Sequence, residues 1–300
     1  MLSLNHLKTF MAVLKFGSFT RAARQLNLTQ PAVSGHIAAL EAELGASLFT
    51  RTGRAVVLTD EGRVLEARGK KVIEELDRMR SEIEDLKDLK GGRITLGASR
   101  IIGVYVLPKL LADFQERFPG IKLQLVVHSA HTILQKLEDN AFDLAVIAEG
   151  IPITSQNIGF KVIGKDPLAI IAPADHPLAK KGVITVSEVC SERFILPGEQ
   201  TASAGSLRKR LEDVGIRLQS TIEMNEQGAI KRAVEEGAGL AIMSRAVVER
   251  EIKEGRLAEL RMENWRPSRR ILLLWRQDRK FSRNTEAFMK FLNGWMGKHY

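Results

Sequence analysis

The chain has 300 residues, 44% of them hydrophobic and 27% charged, with a formal net charge of +9. That length suits two or three domains with cores of their own. The apolar run Ile271–Trp275 falls far short of the ~20 residues that span a bilayer, the N-terminus has no charged segment leading into an apolar one, and the single cysteine, Cys190, excludes an internal disulfide and a multi-cysteine zinc site.

These features predict a cytoplasmic protein with no membrane partner, and the basic balance points to a polyanion such as nucleic acid. The charge is uneven. Residues 1–58 carry six basic side chains against two acidic ones, and residues 59–92 carry eight against ten.

Leu4, Leu7, Phe10, Met11 and Leu14 recur at steps of three and four, which predicts a helix that Gly17 ends. Ser18 or Thr20 caps a second helix containing Ala22, Ala23 and Leu26. Asn27-Leu28-Thr29 is a corner. Thr29 caps a third helix, and Pro31 sits in its first turn, where a missing N–H costs nothing. Val33, Ile37, Leu40 and Leu44 form the buried stripe of that helix, and Gly45 ends it. Turning each residue by about 100° places Gln30, Pro31, Ser34, Gly35 and Ala38 off the stripe. Small residues there let a helix press into a major groove, and a glutamine can read an adenine edge with two hydrogen bonds. This is a helix-turn-helix. Thr52-Gly53 then signals a turn before the β-branched Val56 and Val57, giving a hairpin with Arg51 and Arg54 near its tip, suited to phosphates or a narrow minor groove.

Thr59-Asp60-Glu61-Gly62 opens a long helix with acidic residues in its first turn. Leu65, Gly69, Val72, Leu76, Met79, Ile83 and Leu86 follow a 3.5-residue repeat, read as a coiled-coil seam for a second copy of the chain, with Gly69 a gap where the paired helices pass closest. Lys90-Gly91-Gly92 is a hinge.

From Arg93 strands alternate with helices. Strands are predicted at 93–98, 122–127, 142–147, 168–172, 194–196, 221–224, 240–243 and 271–275, with helices between them, which predicts a parallel sheet in two lobes. No assembled catalytic set emerges, so no enzyme activity and no cofactor are expected. Gly237-Ala238-Gly239 closes a helix and opens a strand, the reverse of a dinucleotide fingerprint. His128 and His131 lack a nearby cysteine, and with Glu149 the only other suggestive ligand no metal site is expected. Cys190 reads as a small hydrophobe in a short helix.

The set Leu7, Phe10, Gly17-Ser18-Phe19, Ala22-Ala23, Leu26, Thr29 to Ser34, Ile37, Leu40-Glu41, Leu44-Gly45, Leu48-Phe49, Arg51, Arg54, Leu58-Thr59 and Gly62 resembles the LysR-type transcriptional regulators. Phe118-Pro119-Gly120, Ala174 to Leu178, Ala229 to Val234 and Gly237 to Ala241 extend the likeness over nearly the whole chain. The resemblance implies an all-α winged helix-turn-helix DNA-binding domain (1–58), a coiled-coil linker helix for dimerisation (59–92), and a two-lobed α/β domain. That domain is Rossmann-like, of the periplasmic-binding-protein type II kind, with lobe I at 93–164 and 266–300 and lobe II at 165–265.

DNA contacts are expected from Thr29, Gln30, Pro31, Ser34, Arg51 and Arg54. Where the family often has a long basic or polar residue after the helix serine, this chain has Gly35 and then His36, so that either a base or phosphate contact is lost or His36 supplies it. In solute-binding folds the ligand lies between lobes, at the carboxyl ends of strands. That rule selects Ser99, Arg100, His128, Ser129, Ser203, Ser206, Asn225 and Glu226 for a small, anionic metabolite, although helix capping is the commoner role for any one serine. The resemblance further implies a tetramer, a dimer of dimers, on a bent promoter site, with RNA polymerase as a partner. Two rival readings stay open: a constitutive DNA-binding protein with a non-sensing α/β domain, and an enzyme built on the lobes.

Overall fold

The computed structural model describes residues 2–52, 55–85, 91–198, 204–218 and 220–300. They form two compact units, Met1–Ile83 and Glu84–Tyr300.

In the first unit, α1 (Leu4–Phe16) ends at Gly17 and α2 (Phe19–Leu26) is capped by Ser18, whose hydroxyl accepts from the Arg21 N–H. Asn27 turns the corner in the left-handed region at φ 54°. Thr29 caps α3 (Gln30–Leu44) by accepting from the Ala32 N–H. Phe10, Val13, Ala22, Ala23, Val33, Ile37, Leu40 and Leu48 make the core, and the two alanines let α2 cross its neighbours at close range. The hairpin of β1 (Phe49–Thr52) and β2 (Ala55–Leu58) pairs antiparallel, with Arg51 opposite Val56. Its Phe49 ring packs 5.1 Å from Phe10.

The long helix α4 (Asp60–Asp85) begins on this module rather than apart from it. Leu65 packs against the core. A Cβ placed on Gly62 would sit 2.2 Å from the Leu48 carbonyl oxygen, and one on Gly69 would sit 2.7 Å from Leu7 Cδ1. The gap expected at Gly69 for a partner helix is therefore filled by the chain's own α1. Beyond it Val72, Met79 and Ile83 are about half exposed, at 49%, 51% and 50%. Leu86 lies outside the described residues.

The second unit runs β3 (Arg93–Ser99), a π-helical turn (Ile102–Val106), α5 (Leu107–Arg117), β4 (Lys122–His128), α6 (Ala130–Glu138), β5 (Leu144–Ala148) and β6 (Ile158–Pro173). Then come β7 (Val183–Ile184), α7 (Val186–Cys190), β8 (Arg193–Pro197), α8 (Ala204–Glu212), β9 (Ser220–Met224), α9 (Gln227–Glu235) and β10 (Leu240–Ser244). The unit closes with α10 (Arg245–Lys253), β11 (Leu257–Met262), β12 (Ser268–Arg276) and α11 (Arg283–His299).

The sheet order is β4-β3-β5-β12-β6-β10-β8-β9, with β11 joined to β6 and β7. Within each lobe the βαβ strands are parallel, as expected: β3 with β4 and β5, and β8 with β9 and β10. The sheet as a whole is mixed, which corrects the expectation of a parallel one. The chain returns through β12, which runs antiparallel to β5 and β6, and β6 is antiparallel to β10 and β11. β6 is one 16-residue strand that passes from lobe I into lobe II, and β12 pairs with it across the crossover.

Helices cover both faces of each lobe, so central strands are apolar throughout. All five residues of β5 are buried, as are those of β10. In lobe I the Phe114 and Phe288 rings meet edge to face at 4.9 Å. In lobe II, Phe194, Leu196, Leu207 and Leu240 fill one face and Ile171, Ile195, Ile230 and Val234 the other. No helix among the described residues is long and apolar enough to cross a membrane.

Candidate nucleic-acid interface and effector cleft

The outer face of α3 carries exposed Gln30, Pro31, Gly35 and Ala38 with half-buried Ser34. Gln30 Nε2 donates to Ser34 Oγ at 2.9 Å. That bond fixes the amide and leaves its second proton and its oxygen free, the donor–acceptor pair that an adenine edge requires. Thr29 keeps its hydroxyl for the cap.

His36 does not belong to this face. Its ring lies 4.7 Å from that of His6, and its Nδ1 is 3.0 Å from Thr9 Oγ1. Thr9 already donates to the Asn5 carbonyl, so His36 is the donor of the pair. Position 36 falls at the edge of the apolar stripe, turned toward α1.

Glu41, which sequence reasoning gave no role, accepts from the Leu48 N–H at 2.7 Å and ties α3 to the hairpin. Arg51 lies in β1, but its side chain, like the whole of Arg54, is outside what the structure describes.

Of the residues expected to hold an effector, Ser99 and His128 end β3 and β4, Ser129 and Glu226 stand at helix starts after strands, and Ser206 lies in α8. Ser99 pairs with His128 across β3 and β4, and Pro197 with Met224 across β8 and β9. Several of the serines and acids are occupied locally. Ser129 caps α6 and Glu226 caps α9, accepting from the Thr132 and Ala229 N–H groups. Ser99 is buried and accepts from the Ala148 N–H at 3.2 Å. Arg100 and His128 are exposed. Asn225 Oδ1 packs against Gly198, 2.2 Å from where a Cβ on that glycine would stand. Ser203 lies outside the described residues.

Ser206 is the member of the set that lines the cavity between the lobes, of about 30 Å³, along with Ile101, Leu168, Arg210, Ser244 and Arg269. Arg210 was not foreseen. It reaches from lobe II to within 3.9 Å of Glu149 at the end of lobe I's β5. Arg270 Nε donates to the same carboxylate at 2.9 Å. The Arg270 hydrogen bond, against a smaller opposing effect of burial, holds the Glu149 carboxyl below its ordinary pKa, and Arg210 adds to the lowering.

A second unforeseen cluster pins the crossover itself. Asp166 of β6 is fully buried beside its strand partner Arg269 of β12, which is 6% exposed. Arg269 donates to Asp166 Oδ2 through Nε at 3.2 Å and through a second amino group, and Ser244 Oγ donates to Oδ1 at 2.5 Å.

Among the described residues no three His, Cys, Asp or Glu side chains cluster to hold a metal. Cys190 is half-buried in α7, with Sγ 4.0 Å from the Gly215 carbonyl.

A winged helix-turn-helix followed by a two-lobed α/β unit defines a ligand-responsive, DNA-binding transcription regulator. Residues 4–63 match the model for bacterial regulatory helix-turn-helix proteins of the lysR family, and residues 87–297 match the LysR substrate binding domain. The chain belongs to the LysR family. It is 33% identical over 290 residues to the RuBisCO operon transcriptional regulator of Allochromatium vinosum, covering 97% of this chain and 95% of that one. Full-length CbnR complexed with its target DNA superposes with a TM-score of 0.77 at 19% identity, covering 98% of this chain and 99% of that one. The regulatory domain of CcmR from Synechocystis PCC6803, in complex with 2-PG, gives 0.61 at 24% identity, covering 69% of this chain and 98% of that one.

Proposed function

We propose that the protein regulates a RuBisCO operon, binding its promoter as a dimer of dimers through Gln30, Pro31 and Ser34 with the wing arginines on phosphates. A small anionic metabolite entering between the lobes changes the separation of the recognition helices and thereby the bend of the DNA. The name of the Allochromatium vinosum relative supports the target. The half-exposed stripe Val72, Met79 and Ile83 on α4 supports pairing with a second copy. RNA polymerase is the further partner of the bound assembly. This reading gives the α/β unit a sensing role and no catalytic one, and the cytoplasm is its location.

The observation that carries the ligand reading is Arg210, a cation of one lobe that lines the cavity and stands 3.9 Å from a carboxylate of the other lobe. An incoming anion competes with Glu149 for that guanidinium, and the arrangement that serves both best is favoured. The shift is bounded by the ligand's difference in affinity for the two arrangements. A cavity of about 30 Å³ has room for about one water, so a metabolite is admitted only as the lobes part or Arg210 swings aside. The 2-PG bound by CcmR supports an anion.

A binding selection from random duplexes supplies the operator. Its bend is then measured by gel mobility with a panel of small phosphorylated and carboxylated acids, 2-PG among them. At least one should alter the bend with the wild type and none with Arg210→Ala, while ligand-free affinity is kept. A wild type indifferent to every compound favours a constitutive DNA-binding protein.

A further inference from the structure

The α/β unit holds a second and larger cavity, of about 520 Å³, lined by Lys165, Arg245, Glu259, Arg261, Trp265 and Arg266 among others. It lies against β6 and β11, and residues of both stretches of chain that pass between the lobes line it, 165 and 167–170 from one and 265–268 from the other. Four of these six side chains are cations and one is an acid.

Glu259 faces Arg245 at 3.6 Å. Arg266 Nη1 donates to the carbonyls of Met262 and Trp265 at 2.9 and 3.2 Å, which orders the guanidinium without neutralising it. The Lys165 and Arg261 side chains make no ion pair within 4.0 Å among the described residues, although the Lys165 N–H donates to Tyr300 O at 3.3 Å. Three positive charges are thus left uncompensated around one concavity, where low-dielectric walls concentrate their field. The volume falls in the range of about 300–1,000 Å³ that small-molecule sites occupy. Trp265 is half-buried and offers a ring surface beside the cations. Phosphate oxygens suit the first feature and a flat ring the second.

We propose that this cavity is an anion site distinct from the interlobe cleft, taking a phosphate monoester of a ring-bearing molecule, with the phosphate held by Lys165 and Arg261 and the ring against Trp265. A ligand there touches both segments on which the lobes turn, yet shares no cation with the cleft, where Arg210 and Arg269 stand.

The test is titration calorimetry of the full chain with inorganic phosphate and with phenyl phosphate, at fixed ionic strength. The proteins are the wild type, the double variant Lys165→Glu/Arg261→Glu, Trp265→Leu, and Arg210→Ala. Lys165 and Arg261 are exposed and unpaired, so their reversal leaves the fold intact. Both probes should saturate one site per chain, phenyl phosphate more tightly. The charge reversal should weaken both by about tenfold or more. Trp265→Leu should erase the preference for phenyl phosphate, and Arg210→Ala should leave both affinities within about twofold. The proposal is overturned if neither probe saturates, if the charge reversal changes nothing, if phenyl phosphate binds no better than phosphate, or if Arg210→Ala abolishes binding.

Discussion

Replacing Asp166 by leucine removes the one carboxylate facing Arg269 in the crossover. Asp166 has no exposed surface and Arg269 has 6%, so the guanidinium cannot recover its lost partner from water. Removing one member of such a buried pair costs about 3–5 kcal/mol, chiefly because a desolvated charge is left unpaired. The Ser244 hydroxyl loses its acceptor as well. With a urea slope of about 2–3 kcal/mol per molar, the unfolding midpoint should fall by about 1–2.5 M. Tryptophan fluorescence is the assay: the three tryptophans, Trp265, Trp275 and Trp295, all lie in the second unit, so the signal reports that unit alone.

The companion variant, Asp166→Leu with Arg269→Met and Ser244→Ala, takes away the whole polar cluster and should recover most of the loss, because apolar replacements of a complete buried pair are often neutral. The reasoning is refuted if Asp166→Leu alone unfolds within about 0.5 kcal/mol of the wild type, the range of ordinary surface changes. It is equally refuted if the triple variant is no better than the single, since packing or backbone strain, and not the stranded charge, would then set the cost.

Gly62→Ala and Gly69→Ala are the same change on one helix and should differ in outcome. A methyl at 62 meets backbone at Leu48, which cannot give way, so a loss of about 1–3 kcal/mol is expected despite better helix propensity. A methyl at 69 meets only the tip of the Leu7 side chain, and there a propensity gain of about 1 kcal/mol offsets the crowding; hydrogen exchange of the α1–α3 amides reads both. Acid stability offers a separate check. The Glu188 carboxyl is lowered from 4.5 to about 2, first by the Lys181 hydrogen bond and then by the Thr185 N–H and hydroxyl. A depressed carboxylate contributes stability above its unfolded pKa and loses it as pH falls through its folded one. Between pH 4.5 and about 2, Glu188→Gln should therefore lose less stability than the wild type, by the same fluorescence signal.

The DNA-binding module is legible in the sequence because its determinants are local. Ser18 and Thr29 cap the helices they precede, Gly17 and Gly45 end helices, and the small residues of α3 lie a fixed rotation from its apolar stripe. The same rotation, applied to His36, puts it beside Val33 and Leu40; the family pattern, not the helix geometry, suggested a DNA contact there.

The cleft is harder to read. Asp166 meets Ser244 across 78 residues and Arg269 across 103, and Arg210 meets Glu149 only once two lobes have folded. Ser129 and Glu226 look alike as caps and as ligands in sequence, since both roles need an acceptor at a helix start. The first half of β6 escaped notice because its outward positions, Phe160 and Val162, are exposed while Lys161, Lys165 and Asp166 break the apolar run. The strands expected at 168–172 and 271–275 are present, but their antiparallel direction, which makes the sheet mixed, leaves no mark in the local pattern.

The most direct test of the account is a binding selection from random duplexes with the wild type and with Gln30→Ala, whose side chain is exposed and, among the described residues, bonded to Ser34 alone. The wild type should enrich a two-fold symmetric motif. The variant should lose its preference at one base pair in each half-site, worth about 1–3 kcal/mol of discrimination, while binding unrelated duplexes as before. An identical motif from both proteins would show that the outer face of α3 does not read bases.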